Sequence, residues 1–131
     1  MSEHHGISRR TALGVLAGAA GTALSGGSPF SPAFAASTLT VGFIYVGPRD
    51  DFGYNQAHAE AAAMLRKMSG VKVVEEEKVA ETSDVQKTME SMISLDDATL
   101  VFPTSFGYFD PHMLKVAQKY PDIEFRHCGG M

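Results

Sequence analysis

Two short segments of the chain concentrate side chains that can bind a small polar molecule. One spans residues 47 to 56 and the other residues 104 to 109, and both combine aromatic rings with amide, hydroxyl or carboxylate groups. Aromatic faces stack on flat rings and polar groups hydrogen-bond to their edges, so this composition favours a planar, polar-edged ligand such as a nucleobase. The candidate ligand-binding residues are Asp51, Tyr54, Asn55, Gln56, Thr104, Ser105 and Phe106.

The same residues also have structural explanations, which the sequence leaves open. Tyr54 begins an apolar helical stripe and can pack against a sheet, and Phe106 can cover the end of a core. Asp50, Asp51 or Asn55 can cap the helix that follows, because their side-chain oxygens accept hydrogen bonds from its free backbone N–H groups.

Four strand patterns alternate with three helical patterns from residue 39 onward. The strands are predicted at residues 39 to 46, 71 to 79, 98 to 102 and 123 to 127, and the helices at residues 54 to 68, 82 to 93 and 110 to 120. The crossovers are long enough to make every strand parallel, so the pattern predicts an α/β fold with a Rossmann-like βαβαβαβ sheet. Ligands of such sheets bind beyond the carboxyl ends of the strands, where both polar segments lie.

Short sequence motifs predict the capping residues of two helices and the solvent exposure of the second strand. Thr82 and Ser83 followed by Gln86 are typical of a capping box, and Asp110 with Pro111 is typical of an N-cap and a first-turn proline. The acidic run at residues 75 to 77 is typical of a solvated strand edge, and we assign it no function.

Composition and charge argue against several kinds of partner. The 131-residue chain carries 11 basic and 15 acidic residues, and without Arg9, Arg10 and Glu3 of its first 35 residues the balance is 9 against 14. No basic cluster is available to neutralise phosphates, so we expect no nucleic-acid partner. Cys128 is the single cysteine and the histidines lack metal-ligand spacing, so we expect no internal disulfide, metal or cofactor.

The first 35 residues have the three zones of a signal peptide. Arg9 and Arg10 precede an apolar stretch at residues 12 to 24, and an Ala-Phe-Ala sequence at residues 33 to 35 precedes Ala36. The paired arginines are similar to a twin-arginine signal. The apolar stretch has 13 residues against the roughly 20 needed to span a bilayer, so we expect no stable membrane insertion. The predicted organisation is a leader at residues 1 to 35 and a single domain at residues 36 to 131.

Three segments of this sequence resemble the basic membrane protein (BMP) family of ABC-transporter substrate-binding proteins. They are VGFIYVGPRDDFGYNQ at residues 41 to 56, VFPTSFGYFDP at residues 101 to 111, and VAQKYPDIEF at residues 116 to 125. The resemblance implies part of the N-terminal lobe of a type I periplasmic-binding-protein fold. It also implies a purine base or nucleoside as ligand, an ABC permease in the membrane as partner, and a periplasmic or secreted location.

By the same resemblance Tyr54 takes the place of the family's stacking aromatic residue and Asn55 that of a neighbouring polar contact, with Ser105 and Phe106 lining the cleft. The first strand ends in residues 45 to 48, which lack the aspartate that many family members have there. This departure favours a free base over a nucleoside. Because the family is ordinarily two-lobed, the resemblance also implies that these residues are an N-terminal fragment of such a protein.

Two other classes of protein are weaker alternatives. A phosphoryl-accepting regulatory domain would use Asp50 and Asp51 to bind magnesium, but residues 104 and 105 are Thr and Ser where its phosphorylated aspartate is expected. An exported hydrolase would use Ser105, but that serine lies outside any Gly-x-Ser-x-Gly motif.

Overall fold

The computed structural model describes residues 38 to 129, so the predicted leader at residues 1 to 35 lies outside the described residues. The described chain runs in the order β1 (Leu39–Ile44), α1 (Tyr54–Leu65), β2 (Val71–Glu76), α2 (Ser83–Asp96), β3 (Leu100–Pro103), α3 (Leu114–Lys119) and β4 (Glu124–Phe125). A 3-10 turn at Phe106–Tyr108 and a π-helical turn at Phe109–Met113 precede α3. No helix among these residues has the length and apolar character required to cross a membrane.

The four strands form one parallel sheet in the order β2-β1-β3-β4, which confirms the predicted α/β class and the parallel pairing. β1 lies centrally, and Val41 pairs with Val73 of β2 and with Leu100 of β3. Five of the six residues of β1 are buried. An apolar run without polar alternation is what a strand covered on both faces requires.

Helices cover both faces of the sheet and divide the core into two layers. Alternate residues of β1 point to opposite faces, so Val41 and Phe43 pack with Ala62 of α1, whereas Ile44 packs against α2 and α3. Tyr45, the residue after β1, joins the same layer as Val41 and Phe43. Phe43 stacks on Phe102 with ring centroids 4.8 Å apart. The second layer comprises Ile44, Val85, Met89, Met92, Ala98, Val101, Tyr108, Met113 and Val116. Two methionines of α2, Met89 and Met92, are therefore part of the core.

Several elements are shorter than predicted. β1 ends at Ile44 instead of residue 46, β2 ends at Glu76 instead of residue 79, and β4 has two residues instead of five. β4 pairs with only two residues of β3, Leu100 and Val101. Single backbone hydrogen bonds continue beyond these ends, such as those from the Tyr45 N–H to the Glu76 carbonyl oxygen at 2.9 Å and from the Arg126 N–H to the Val101 carbonyl oxygen at 2.9 Å.

The predicted apolar stripe of α1 is confirmed at Ala62 and Leu65, which pack in the core with β1, and is wrong at Tyr54, where the sequence predicts its start. The buried residues of α1 are Asn55 and Ala62, whereas Tyr54 keeps 44% of its surface exposed. Alanine occupies positions on every side of this helix, so its apolar pattern does not define one face.

The beginnings of α2 and α3 also differ from the prediction. Thr82 caps α2 by accepting a hydrogen bond from the backbone N of Asp84 at 3.2 Å, but no capping box forms, because the side chain of Gln86 contacts His112 at 2.6 Å instead. Asp110 makes no side-chain cap and has an extended backbone (φ −114°, ψ 126°). The chain therefore kinks at Asp110, and α3 begins four residues later.

Candidate functional site

Loops leaving all four strands meet at the carboxyl edge of the sheet, where hydrogen bonds join them. The backbone N of Arg49 after β1 donates to Glu77 after β2 at 3.1 Å. The hydroxyl of Tyr108 after β3 donates to the carbonyl oxygen of Val79 after β2 at 2.6 Å. The hydroxyl of Tyr54, at the start of α1, donates to the carbonyl oxygen of Cys128 after β4 at 3.1 Å. The predicted site residues are thus brought to one edge.

The side chain of Asp51 forms hydrogen bonds within its own loop and with the start of α1. Its carboxylate accepts hydrogen bonds from the backbone N–H groups of Gly53, Asn55 and Gln56 at 2.9 to 3.1 Å and from the side-chain amide of Asn55 at 2.8 Å. These donors, led by the Gln56 N–H, lower the pKa of Asp51 to about 2. Both oxygens of Asp51 are therefore engaged at the start of α1.

Asn55 and Gln56 are also engaged within the first loop. Asn55 is 6% exposed, and its Oδ1 accepts a hydrogen bond from the backbone N of Gly47 at 3.4 Å. The Oε1 atom of Gln56 accepts from the N–H of Phe52 at 3.1 Å, and its Nε2 atom donates to Glu60 at 3.0 Å. These two side chains hold the loop around Phe52 and Tyr54.

Thr104 and Ser105 are buried at the end of β3. The Thr104 hydroxyl donates to the carbonyl oxygen of Ile44 at 2.8 Å, which ties the end of β3 to the end of β1. The Ser105 hydroxyl donates to the Oε1 atom of Glu81, which also accepts from the backbone N of Gly107 at 3.0 Å. A side chain at position 107 would obstruct this contact, since a Cβ atom there would lie 2.5 Å from Cδ of Glu81.

Exposed aromatic rings surround these buried polar groups. Phe52 is 94% exposed and Phe106 is 72% exposed. The imidazole of His58 stands nearly perpendicular to the ring of Tyr54, with centroids 4.6 Å apart. The chain after β4 links the rings, because Cys128 accepts the Tyr54 hydrogen bond and a Cβ atom on Gly129 would lie 3.1 Å from the Phe106 ring. Solvent-exposed rings at a strand-end cluster can stack on a planar ligand.

His127, in the segment after β4, contacts the loop that follows β3. Its Nε2 atom lies 2.7 Å from the carbonyl oxygen of Ser105, which can only accept, so Nε2 carries the proton in this contact. Its Nδ1 atom is buried without a hydrogen-bond partner among residues 38 to 129. The His127 ring packs at 5.1 Å from Phe109.

Sequence reasoning missed Glu81 and His127. The available signal was the position of each residue after a parallel strand, because every loop beyond a carboxyl end reaches the same edge. Charge alone did not distinguish Glu81 from the acidic residues that precede it.

A surface pocket of about 270 Å³ lies elsewhere, beside the edge strand β2. It is lined by Val74, Glu75, Glu76, Lys87, Thr88, Ser91, Met92 and Asp96. None of the predicted ligand-binding residues contributes to it.

Residues 38 to 131 match the family model Bmp, described as ABC transporter substrate-binding protein PnrA-like. The chain belongs to this Bmp family. The membership confirms the resemblance in the sequence, and it overturns the alternative of a phosphoryl-accepting domain.

Among relatives of this Bmp chain, a purine-binding protein of Brucella abortus (strain 2308) is 41% identical over 118 residues, which are 88% of this chain and 32% of that protein. A protein of Haloferax volcanii, provisionally named ABC transporter glucose-binding protein TsgA13, is 30% identical over 93 residues, which are 71% of this chain and 23% of that protein. The chain therefore spans about a third or less of the length of these relatives.

A solved ABC transporter solute-binding protein from Conexibacter woesei DSM 14684 shares the fold. The TM-score is 0.56 and the identity 24%, covering 66% of this chain and 28% of that one. The likeness supports the α/β architecture.

Proposed function

We propose that this chain is part of the extracytoplasmic solute-binding component of an ABC importer, and that its ligand is a purine base or nucleoside. A membrane permease is the partner, and the chain itself carries no catalytic chemistry. Family membership supports the transport role. The name of the Brucella relative supports the purine class.

The observation that carries the ligand proposal is the exposed Tyr54 ring at the carboxyl edge, with Phe106 exposed beyond the Cys128–Gly129 segment. A planar base can stack on such rings while its edge meets polar groups of the loops. A free base is the favoured form. The side chain of Tyr45, after β1, is fully buried and donates to Glu75 at 2.8 Å, so it offers no acceptor to a ribose.

Calorimetric titration of the full-length protein with adenine, adenosine, guanosine and glucose tests this proposal. We expect adenine to bind more tightly than either nucleoside, and glucose to show no heat of binding. Binding of glucose without binding of any purine would refute the purine assignment and favour the sugar class named for the Haloferax relative.

We also propose that residues 1 to 35 form a twin-arginine leader and that the exported protein begins at Ala36. Mass analysis of the exported product gives its first residue. Retention of Arg9 and Arg10 contradicts the leader, and undiminished export after both are changed to lysine contradicts the twin-arginine route alone.

A further inference from the structure

Glu81, in the loop after β2, differs from Glu75 and Glu77 in having no cationic partner among the described residues. Glu77 pairs with Arg49 at 3.0 Å, and Glu75 pairs with Arg49 and with Arg66. Across residues 38 to 129, no lysine, arginine or histidine side chain forms a salt bridge with Glu81. Its side chain is nevertheless solvent-exposed at the carboxyl edge of the sheet.

The two oxygens of Glu81 are used unequally. Oε1 accepts hydrogen bonds from the Ser105 hydroxyl and from the backbone N of Gly107. No donor from residues 38 to 129 reaches Oε2. Since a carboxylate accepts through both oxygens, Oε2 retains its capacity for a further donor.

The loops on either side fix the position of this carboxylate. The missing Cβ atom of Gly107 allows the close approach of Glu81, and the Tyr108 hydroxyl binds the Val79 carbonyl two residues before Glu81. The Glu81 charge also lies close enough to the buried Tyr108 hydroxyl to add to the rise in its pKa that burial causes. An acceptor held in this way is preorganised next to Phe106.

We propose that Glu81 is a specificity-determining residue, with Oε1 holding the Ser105–Gly107 loop and Oε2 accepting an N–H hydrogen bond from a nitrogen heterocycle. The inference rests on the proposed function, because it requires a ligand at this edge. An ionised carboxylate accepts and never donates, so the contact selects rings that present an N–H group there. Rings that present only acceptors at that position are repelled by the charge.

The test compares Glu81→Gln with the unsubstituted protein by calorimetry, using three probes. They are adenine, unsubstituted purine, which lacks the exocyclic amine, and 9-methyladenine, which lacks the ring N–H at position 9. The glutamine keeps a carbonyl oxygen for Ser105 and Gly107 but turns an NH₂ group towards the ligand. We expect adenine affinity to fall at least about tenfold, the scale of a lost hydrogen bond to a charged group. The analogue that lacks the contacting N–H should lose little.

Glu90→Gln is the matched control, since Glu90 lies on α2 and pairs with Lys119 at 3.0 Å. It should bind all three probes as the unsubstituted protein does. Glu81→Ala removes both functions, so it should weaken binding and speed hydrogen exchange of the Gly107 amide.

The N–H contact is overturned if Glu81→Gln binds adenine within about twofold of the affinity of the unsubstituted protein. It is also overturned if the substitution weakens binding of all three probes equally. If the unsubstituted protein binds none of the probes, the purine function is overturned and the contact with it. Binding by the unsubstituted protein with no effect of Glu81→Gln overturns only the role of Glu81.

Discussion

Asp51 lies two residues before Gly53, the N-cap residue of α1, and its side chain accepts hydrogen bonds from the first turn of that helix. Its carboxylate accepts hydrogen bonds from three backbone N–H groups and from the Asn55 side-chain amide. Backbone N–H groups at the start of the helix, which have no partner within it, are satisfied in this way. At the residue scale, the capping explanation that the sequence left open for Asp51 accounts for its contacts.

Asp51→Asn is expected to lower the free energy of unfolding at neutral pH, because an amide nitrogen cannot accept the hydrogen bonds that one carboxylate oxygen accepts. The pKa of Asp51 lies at about 2 in the folded chain against an ordinary value of 3.8. Stabilisation by the ionised form is therefore complete above about pH 4 and is lost as pH falls towards 2. Urea unfolding at pH 7, 4 and 2 measures the difference between the two proteins.

That difference should shrink between pH 4 and pH 2. Asp50→Asn serves as control, since Asp50 is the exposed neighbour. If the difference in free energy of unfolding between Asp51→Asn and the unsubstituted protein stays constant from pH 4 to pH 2, the charged cap is contradicted.

We propose that the ligand stacks on the ring of Tyr54. Tyr54→Ala in the full-length protein is expected to weaken adenine binding by about 1 to 3 kcal/mol, the usual scale for stacking of a base on an aromatic ring. Tyr54→Phe retains the ring and loses only the hydrogen bond to Cys128. It should therefore keep most of the affinity, and titration calorimetry measures both variants.

Denaturant unfolding of the same variants separates binding from packing. If Tyr54→Ala unfolds at lower denaturant concentration yet binds adenine like the unsubstituted protein, the ring has a packing role and the proposed site is misplaced.

Glu75 joins three elements on one side of the sheet. It accepts a hydrogen bond from the Tyr45 hydroxyl at 2.8 Å and pairs with Arg66 after α1 and Arg49 of the first loop. Its side chain is only 3% exposed, so the prediction of a solvated edge is wrong at this position. Burial raises the pKa of Tyr45 to about 12, and its hydroxyl stays a donor to Glu75. At the element scale, this cluster holds the β1–α1 loop against β2.

Glu75→Ala is expected to reduce the free energy of unfolding by about 1 to 3 kcal/mol, because the buried Tyr45 hydroxyl loses its acceptor. Tyr45→Phe in the same background should recover part of the loss, as no unpaired hydroxyl remains. Urea unfolding of both single variants and the double variant gives the coupling energy. Glu76→Ala, at an exposed neighbouring position, is the control. Strict additivity of the two single changes contradicts the cluster.

The described part of the molecule presents an open sheet edge and exposed apolar side chains. β2 stands at one end of the strand order, and β4, at the other, has only two residues. Phe52, Phe106 and Leu95 are each more than 70% exposed. Unpaired strand edges and exposed apolar groups favour association between molecules. At the scale of the whole molecule, stability and association are therefore coupled.

The 131-residue chain expressed without residues 1 to 35 is expected to be marginally stable. Its unfolding temperature should depend on protein concentration and lie within the range of about 45 to 65 °C that is usual for mesophile domains. Calorimetric scans over a hundredfold range of concentration test this. A sharp transition above about 65 °C that is independent of concentration would refute it.

The order of elements and the edge that carries the loops could be predicted from the sequence. β1 is an apolar run ending near Gly47 and Pro48, and the crossovers contain helical patterns, so local periodicity determined the parallel α/β class. The strand-end rule then placed residues 51 to 56 and 104 to 106 at a common edge. These features are set by contacts within each element and by connection length, which the sequence displays directly.

Only the tertiary structure decided which polar groups at that edge are engaged. Asp51 and Asn55 satisfy each other and the start of α1, whereas Glu81, from a loop that sequence reasoning passed over, meets Ser105 and Gly107. Likewise Glu75 is buried although the two residues after it resemble it in type. The contacts of Glu81 and the hydrogen bond between Tyr45 and Glu75 join residues 24 to 30 positions apart in the chain, and their pairing depends on how the strands lie side by side. Residue type and spacing do not indicate that arrangement, because the hydrogen bonds form only once the sheet has brought the loops together.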